Sequence, residues 1–504
     1  MNHLSIYNGS LALLTDLYQL TMAQGYWKQD MVGTDAIFHL FFREAPFNGG
    51  YAVAAGLKTA VDLLLEYEFS PEDLAYLGEL RGSDDEPLFD EEFLDFLARM
   101  EFSCSVDAVP EGNIVFPHEP LVRVEGPLIQ AQLLESVLLN IINFQTLIAT
   151  KASRVCYAAG DEPVLEFGLR RAQGLDGALS ASRAAVIGGC AATSNVLAGK
   201  LFGIPVKGTH AHSWVMSFDS ELEAFEAYAE SMPNNVVFLV DTYDTIRGVK
   251  NAITVGRKLR DKGYEMAGIR LDSGDLAWLS IEARKMLDEA GFEKTKIVAS
   301  NNLDERTIRS LKEQGAQIAV WGVGTHLATA KDQPALGGVY KMSAVRSAGG
   351  DWEHKVKLSE QRIKISNPGK IQVRRFWKNK PSGIGGAGEF VGDMIYDELT
   401  GEPPSLIIVD PLDETRRKRL EGAPVDLLKP IFKEGHYVGE DYIADDIMEI
   451  QQHSRHMLAR FHDGIKRFDN PHEYPAGLEM NLYELKKRLI LEARGFDPDE
   501  EPTW

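Results

Sequence analysis

Ile269-Arg270-Leu271-Asp272-Ser273-Gly274-Asp275 is an apolar run that stops at a glycine turn flanked by two carboxylates. Four other segments share this design. They are Val164-Leu165-Glu166-Phe167-Gly168-Leu169-Arg170-Arg171, Ile204-Pro205-Val206-Lys207-Gly208-Thr209-His210-Ala211-His212, Val236-Val237-Phe238-Leu239-Val240-Asp241-Thr242-Tyr243-Asp244 and Ile318-Ala319-Val320-Trp321-Gly322-Val323-Gly324-Thr325. They recur at roughly 30-residue intervals, the size of a strand–helix unit. Helical patterns at 221–230 and 276–290 fall between them. This alternation predicts an α/β fold, an irregular parallel β/α barrel. In such a barrel the loops after the strands share one face, which carries the active site. Residues far apart in sequence are therefore expected to converge.

Strand-like runs near 165, 205, 238, 269, 298, 319 and 340 give seven candidate strands for a barrel over 146–350. The flanks read differently. Residues 1–145 mix a helical pattern at 12–29, a strand at Phe38-His39-Leu40-Phe41-Phe42-Arg43 and a helix start at Pro71-Glu72-Asp73-Leu74. Residues 351–504 hold short strands between charged stretches and turns, then a helical pattern at 481–493. The two flanks are expected to build one mixed α+β domain.

At 504 residues the chain exceeds a single core. Its 44% hydrophobic and 25% charged content is that of an ordinary globular protein. There is no apolar run of membrane-spanning length and no basic-then-apolar leader at the N-terminus. Cys104, Cys156 and Cys190 are an odd set without a CxxC pair, so a reducing, cytoplasmic setting is expected. A net charge of −22 disfavours nucleic acid and anionic membrane as partners. It does not exclude a small anionic substrate, because salt screens the global field beyond about 8 Å.

Each strand end offers chemistry beside a plainer alternative. Gly322-Val323-Gly324-Thr325 would let backbone N–H groups approach a phosphate, or is a tight turn that needs glycine. Phe167 with Arg170 and Arg171 would stack on a flat ring and bind carboxylate or phosphate, or is a core ring beside solvated arginines. The carboxylates of Asp272 and Asp275, preceded by Arg270, suit ribose hydroxyls, Mg²⁺ shared with phosphates, or a developing cation. Alternatively Asp272 or Ser273 caps the helix starting near Leu276. His210 and His212 would hold a metal, or one would act as base or nucleophile, or be structural. Gly383-Ile384-Gly385-Gly386-Ala387-Gly388 matches GxGxxG formally, but the strand-like 389–396 that follows makes it a hairpin loop rather than a dinucleotide site.

With Thr15-Asp16-Leu17-Tyr18-Gln19-Leu20-Thr21-Met22, these strand-end segments resemble the nicotinate phosphoribosyltransferase family, in that family's order and at suitable spacing. The resemblance covers the N-terminal part and the barrel. It implies transfer of phosphoribosyl from phosphoribosyl pyrophosphate to nicotinate, with Mg²⁺, giving nicotinate mononucleotide and pyrophosphate in NAD salvage. It also implies ATP hydrolysis coupled through a transient phosphohistidine. His212 is the histidine that closes the family's Gly-Thr-x-Ala-His pattern, whereas His210 stands where the family varies.

By the same resemblance Tyr18 and Phe167 sandwich the pyridine ring. Tyr18 does so from a neighbouring subunit, which implies a homodimer with shared sites. Arg170 meets the nicotinate carboxylate or a nearby phosphate. Arg270 and Asp272, catalytic with His212, hold ring and ribose; Asp275 is a further substrate-binding residue, and Gly322, Gly324 and Thr325 hold the 5′-phosphate. A related nicotinamide-using enzyme carries an acid near the position of Ser194, where serine instead suits a carboxylate. The competing reading from another class is a metal-dependent barrel hydrolase built on His210 and His212. A third is a nucleotide-binding regulator on the same scaffold.

Overall fold

A computed structural model describes residues 10–379 and 388–497, and the chain divides into two compact units. One unit takes Leu147–Pro334 and Asp446–Arg455. Its centre is a six-stranded parallel sheet: β1 (Val164–Glu166), β2 (Ala192–Thr193), β3 (Val237–Leu239), β4 (Gly268–Leu271), β5 (Lys296–Ala299) and β6 (Val320–Val323). The spatial order is β2-β1-β6-β5-β4-β3, all pairings parallel. The first strand therefore pairs with the last, Leu165 opposite Gly322. A single bridge adds Val206 beside Thr193. No strand pairing among the described residues joins Val206 to β3, so the sheet is open there.

The strands end abruptly because the acids after them start helices. Asp244, Asp275 and Asp304 cap the helices Thr245–Asp261, Leu276–Glu289 and Glu305–Glu313, accepting from the N–H of Arg247 (2.7 Å), Trp278 (3.1 Å) and Thr307 (2.7 Å). Each such cap contributes about 1 kcal/mol. The apolar halves of the strands are core: Phe238 and Ile269 are fully buried, and Phe238 stacks on Phe225 at 4.5 Å between centroids. Burying one such ring stabilises by about 2–3 kcal/mol.

Two expectations about this unit need correction, and one strand was not foreseen. The run near 340 is not part of the parallel sheet. Val339–Arg346 pairs antiparallel with Asp35–Phe41 in the other unit. The run at 204–206 forms only the bridge at Val206. The two-residue strand β2 sits in a stretch of glycines, alanines and a cysteine, with no aliphatic run to announce it. The C-terminal part also returns here. Gln451 donates to the carbonyls of Val186 (2.8 Å) and Cys190 (2.7 Å), which holds the turn before β2.

The other unit gathers chain up to Thr146 with Ala335–Asp445 and the segment from His456. Its seven-stranded sheet sets N-terminal Asp35–Phe41, Val122–Pro127 and Ser105–Ala108 beside C-terminal Val339–Arg346 and Lys429–Lys433. A six-stranded sheet around Ile371–Lys378 and Glu389–Asp397 completes it. Inside, Arg375 and Asp393 form a fully buried ion pair at 2.5 Å, ringed by Phe116, Phe390, Phe461 and Tyr474. Removing one partner of such a pair costs about 3–5 kcal/mol. Apart from Gly388 the glycine-rich loop at 383–388 lies outside the described residues, and Glu389–Asp397 after it is a strand.

Candidate active site

Arg270, on β4, organises the strand ends. Its Nε donates to Ser300 Oγ at 2.8 Å, and its terminal nitrogens reach Asp272 Oδ1 at 3.0 Å and Thr209 Oγ1 at 3.3 Å. Its guanidinium carbon lies 5.8 Å from the Phe167 ring centroid. The Ser300 hydroxyl also donates to Asp272 Oδ1. Burial alone would raise the Asp272 pKa, but the bonds from Ser300 and Arg270 outweigh it and hold the carboxyl below its ordinary value. Asp272 is therefore a fixed anion at pH 7, with Oδ2 turned toward His212.

His212 Nδ1 lies 3.1 Å from Thr242 Oγ1, while Nε2 faces Asp272 Oδ2 at 3.8 Å and Asp241 Oδ1 at 4.0 Å. The imidazole is 39% exposed, open to a reactant, whereas the Asp241 carboxyl is 1% exposed. Asp241 Oδ2 accepts from the Asp272 N–H at 2.9 Å and the Ser273 hydroxyl at 2.6 Å. Asp241 Oδ1 is buried and has no hydrogen-bond partner. A buried acceptor left without a donor is costly, which marks a place prepared for another group.

His210 takes a different role. Its Nε2 accepts from the Leu239 N–H of β3 at 3.2 Å, its Nδ1 lies 3.4 Å from the Ala211 carbonyl, and Tyr228 packs on its ring at 4.7 Å. The imidazole thus satisfies a strand N–H where the sheet is open. Burial pushes its pKa down to about 4, so it is neutral at pH 7. Its lone pair is already engaged, which removes the first ligand of the metal-hydrolase reading.

Phe167 is seated by glycines. A Cβ at Gly322 would stand 2.7 Å from the Phe167 ring, and one at Gly324 would stand 3.0 Å from its carbonyl. Close packing thus requires glycine at both positions, independently of any phosphate. Gly322 lies within β6, and Gly324 precedes the short helix Thr325–Ala328. Beneath them Glu166, 1% exposed, accepts from the Gly168 N–H and from the hydroxyls of Ser182 (2.9 Å) and Thr193 (2.6 Å). Ser194 donates its N–H to the Glu166 carbonyl at 2.9 Å.

Other predicted residues stand apart from this cluster. Arg170 is exposed on the 3₁₀ turn Leu169–Arg171 and takes no part in the Arg270 network. Asp275, rather than Asp272 or Ser273, caps the following helix. Gly274, at φ +80°, makes the turn that separates the two acids. Tyr18 lies in the other unit on the helix Leu17–Lys28, 47% exposed. That unit also holds a cleft of about 770 Å³ lined by Arg43, His118, Arg416, Arg417 and Lys418 among others. Arg416 there is paired with Glu473 at 2.8 Å.

Sequence reasoning passed over Asp241, Thr242, Ser300, Glu166 and the cleft. Asp241 and Thr242 were within a quoted strand end. Ser300 ends the run Ile297-Val298-Ala299, which has the same apolar-to-polar design as the other five.

Comparison with known proteins names the class. Three family models match: the nicotinate phosphoribosyltransferase N-terminal domain over residues 13–143, the nicotinate phosphoribosyltransferase family over 163–359 and the C-terminal domain over 384–486. Nicotinate phosphoribosyltransferase of Bacillus subtilis is 45% identical over 487 residues, 96% of each chain. That of Dictyostelium discoideum is 37% identical, covering 95% of this chain and 88% of its own. The crystal structure of human nicotinic acid phosphoribosyltransferase matches with a TM-score of 0.80 at 32% identity, over 94% of this chain and 99% of that one. A Pyrococcus furiosus nicotinate-nucleotide pyrophosphorylase, 22% identical with a TM-score of 0.66 over 91% of this chain and 97% of its own, shares the fold. The matched models and the shared fold define a phosphoribosyltransferase. Within that class the chain belongs to the nicotinate phosphoribosyltransferase family, whose activity serves NAD salvage.

Proposed function

We propose that this chain transfers phosphoribosyl from phosphoribosyl pyrophosphate to nicotinate, and that ATP hydrolysis drives the transfer through phosphorylation of His212. One observation carries the reading: His212, Asp272, Arg270 and Phe167, distant in sequence, meet at one set of strand ends.

The His212 geometry supports a nucleophile. In the tautomer whose Nδ1–H donates to Thr242 Oγ1, the Nε2 lone pair is free to attack a γ-phosphate. Asp241 and Asp272 then stabilise the cationic ring. Phe167 stacks on the pyridine ring and Arg270 meets its carboxylate or a ribosyl oxygen. As pyrophosphate departs, the anionic Asp272 lowers the energy of the oxocarbenium-like ribosyl centre. The unpartnered Asp241 Oδ1 and the free Asp272 Oδ2 suit Mg²⁺, which would neutralise phosphate charge there.

Several finer points belong to the same reading. The parallel sheet is an irregular barrel, open beside β3. Ser194 favours nicotinate over nicotinamide. Gly324 and Thr325 approach the 5′-phosphate. Tyr18 completes a neighbouring copy's site, so the working form is a homodimer. The compartment is the cytoplasm, in keeping with three free thiols. No described helix is long and apolar enough to cross a membrane.

Incubation with nicotinate, phosphoribosyl pyrophosphate and Mg²⁺, with and without ATP, tests the proposal. Nicotinate mononucleotide should form, and rise with ATP as ADP appears. No product under either condition overturns the reading.

A further inference from the structure

We infer that Glu166 is a positioning residue that couples the aromatic platform of the site to its specificity loop. The inference rests on reading this site as the nicotinate pocket. Glu166 ends β1, and its side chain and backbone reach its own following bend and the end of the neighbouring strand β2. On its own strand it accepts from the Gly168 N–H, which fixes the bend that presents Phe167 to Gly322 and Arg270. Toward β2 its carboxylate accepts from Thr193 at 2.6 Å, and its carbonyl accepts from the Ser194 N–H at 2.9 Å. The Thr193 hydroxyl in turn accepts from the Asn195 N–H at 3.0 Å. Asn195 donates to Ser182 at 3.2 Å and caps the next helix through Ala198.

The chemistry of the network calls for an anionic acceptor. Three donors point at one side chain, and a carboxylate accepts from all three without a hydrogen of its own. No ion pair to Glu166 forms among the described residues, so hydrogen bonds alone offset the desolvation of its carboxylate. An apolar residue with the two hydroxyls removed would pack there more cheaply. Such a local conflict with stability is expected where function sets the residue. Phe167 and the loop that carries Ser194, which would read the pyridine ring and its substituent, thus both depend on this one side chain, through Gly168 on one side and through Thr193 and its bond to Asn195 on the other.

The test uses the full-length enzyme and compares Glu166→Ala, Glu166→Gln and Thr193→Val. Steady-state KM for nicotinate, KM for phosphoribosyl pyrophosphate and the preference for nicotinate over nicotinamide are measured for each. Glu166→Ala should raise KM for nicotinate about tenfold and narrow the preference, with KM for phosphoribosyl pyrophosphate within about twofold. Glu166→Gln keeps an acceptor for Gly168 but turns an amide NH₂ toward the Ser182 and Thr193 hydroxyls, so it should recover KM for nicotinate more than the preference. Thr193→Val, nearly isosteric, should narrow the preference with a smaller change in KM. A merely structural role would lower the active fraction and the melting temperature but leave KM and preference at wild-type values, and that result overturns the inference. If Glu166→Ala does not fold, wild-type KM and preference in Thr193→Val overturn it equally. Absence of turnover in the wild type would instead strike the nicotinate reading itself.

Discussion

The one oxygen of Asp241 that no protein group satisfies lies 4.0 Å from His212 Nε2. The other oxygen is fastened to the backbone of Asp272 and the hydroxyl of Ser273. Asp241 thus ties the end of β3 to the end of β4 and aims a fixed negative charge at the imidazole. Replacing it with asparagine keeps the shape and loses the charge. Asp241→Asn should lower ATP-coupled turnover by about a hundredfold, the scale of a lost acid–base partner. ADP release measured alongside nicotinate mononucleotide checks this.

His212→Ala removes the proposed nucleophile but leaves Arg270, Asp272 and Phe167 in place. ATP should cease to stimulate product formation, ADP release should fall to background, and slow ATP-independent transfer should persist. ATP stimulation equal to wild type would remove His212 from the coupling.

Asp272 is held anionic by Arg270 and Ser300. Asp272→Ala should cut kcat by well over tenfold, more than about 1.4 kcal/mol in barrier. Single-turnover assays with saturating substrates read this directly. Rates at the wild-type level would exclude the carboxylate from the reaction.

Ser194→Asp would, on the proposed reading, place a negative charge beside the substituent of the pyridine ring. The ratio of kcat/KM for nicotinate to that for nicotinamide should fall, because an acid repels a carboxylate and accepts from an amide NH₂. An unchanged ratio would show that Ser194 does not read the substituent.

His210 gives a prediction about pH and stability. Its folded pKa lies near 4, below the ordinary 6.5, because burial disfavours the charged ring. The unfolded chain therefore binds more protons between these values, and stability falls as pH drops from 6.5 toward 4. The contribution is of the order of a few kcal/mol at most. His210→Asn can still accept from Leu239, so its denaturation midpoint should change less between pH 7 and pH 5 than the wild type's.

Much of this site was legible in the sequence because strand ends obey a simple rule. An apolar run that stops at Asp, Arg or His tells which residues sit at the loop face, and Arg270, Asp272, His212 and Phe167 do meet there. What spacing could not separate was two uses of one residue type. Asp272 and Asp275 are equivalent in sequence, yet one faces His212 and the other caps a helix. His210 and His212 differ by two positions, yet one is bound to a strand N–H and the other is open. Glycines at 322 and 324 suggested phosphate, whereas the contact that demands them is with Phe167. Val339–Arg346 looked like another strand of the parallel sheet because local pattern carries no pairing direction. Glu166 was hidden because a buried acid inside an apolar run has no local signature.

The central claim is that His212 carries phosphate. Full-length enzyme would be mixed with Mg²⁺ and ATP labelled at the γ-phosphate, quenched in alkali and digested, and the labelled peptide sequenced. The account predicts an alkali-stable, acid-labile label on His212 that is absent from His212→Ala. No label in the wild type, or the same label in His212→Ala, would contradict it.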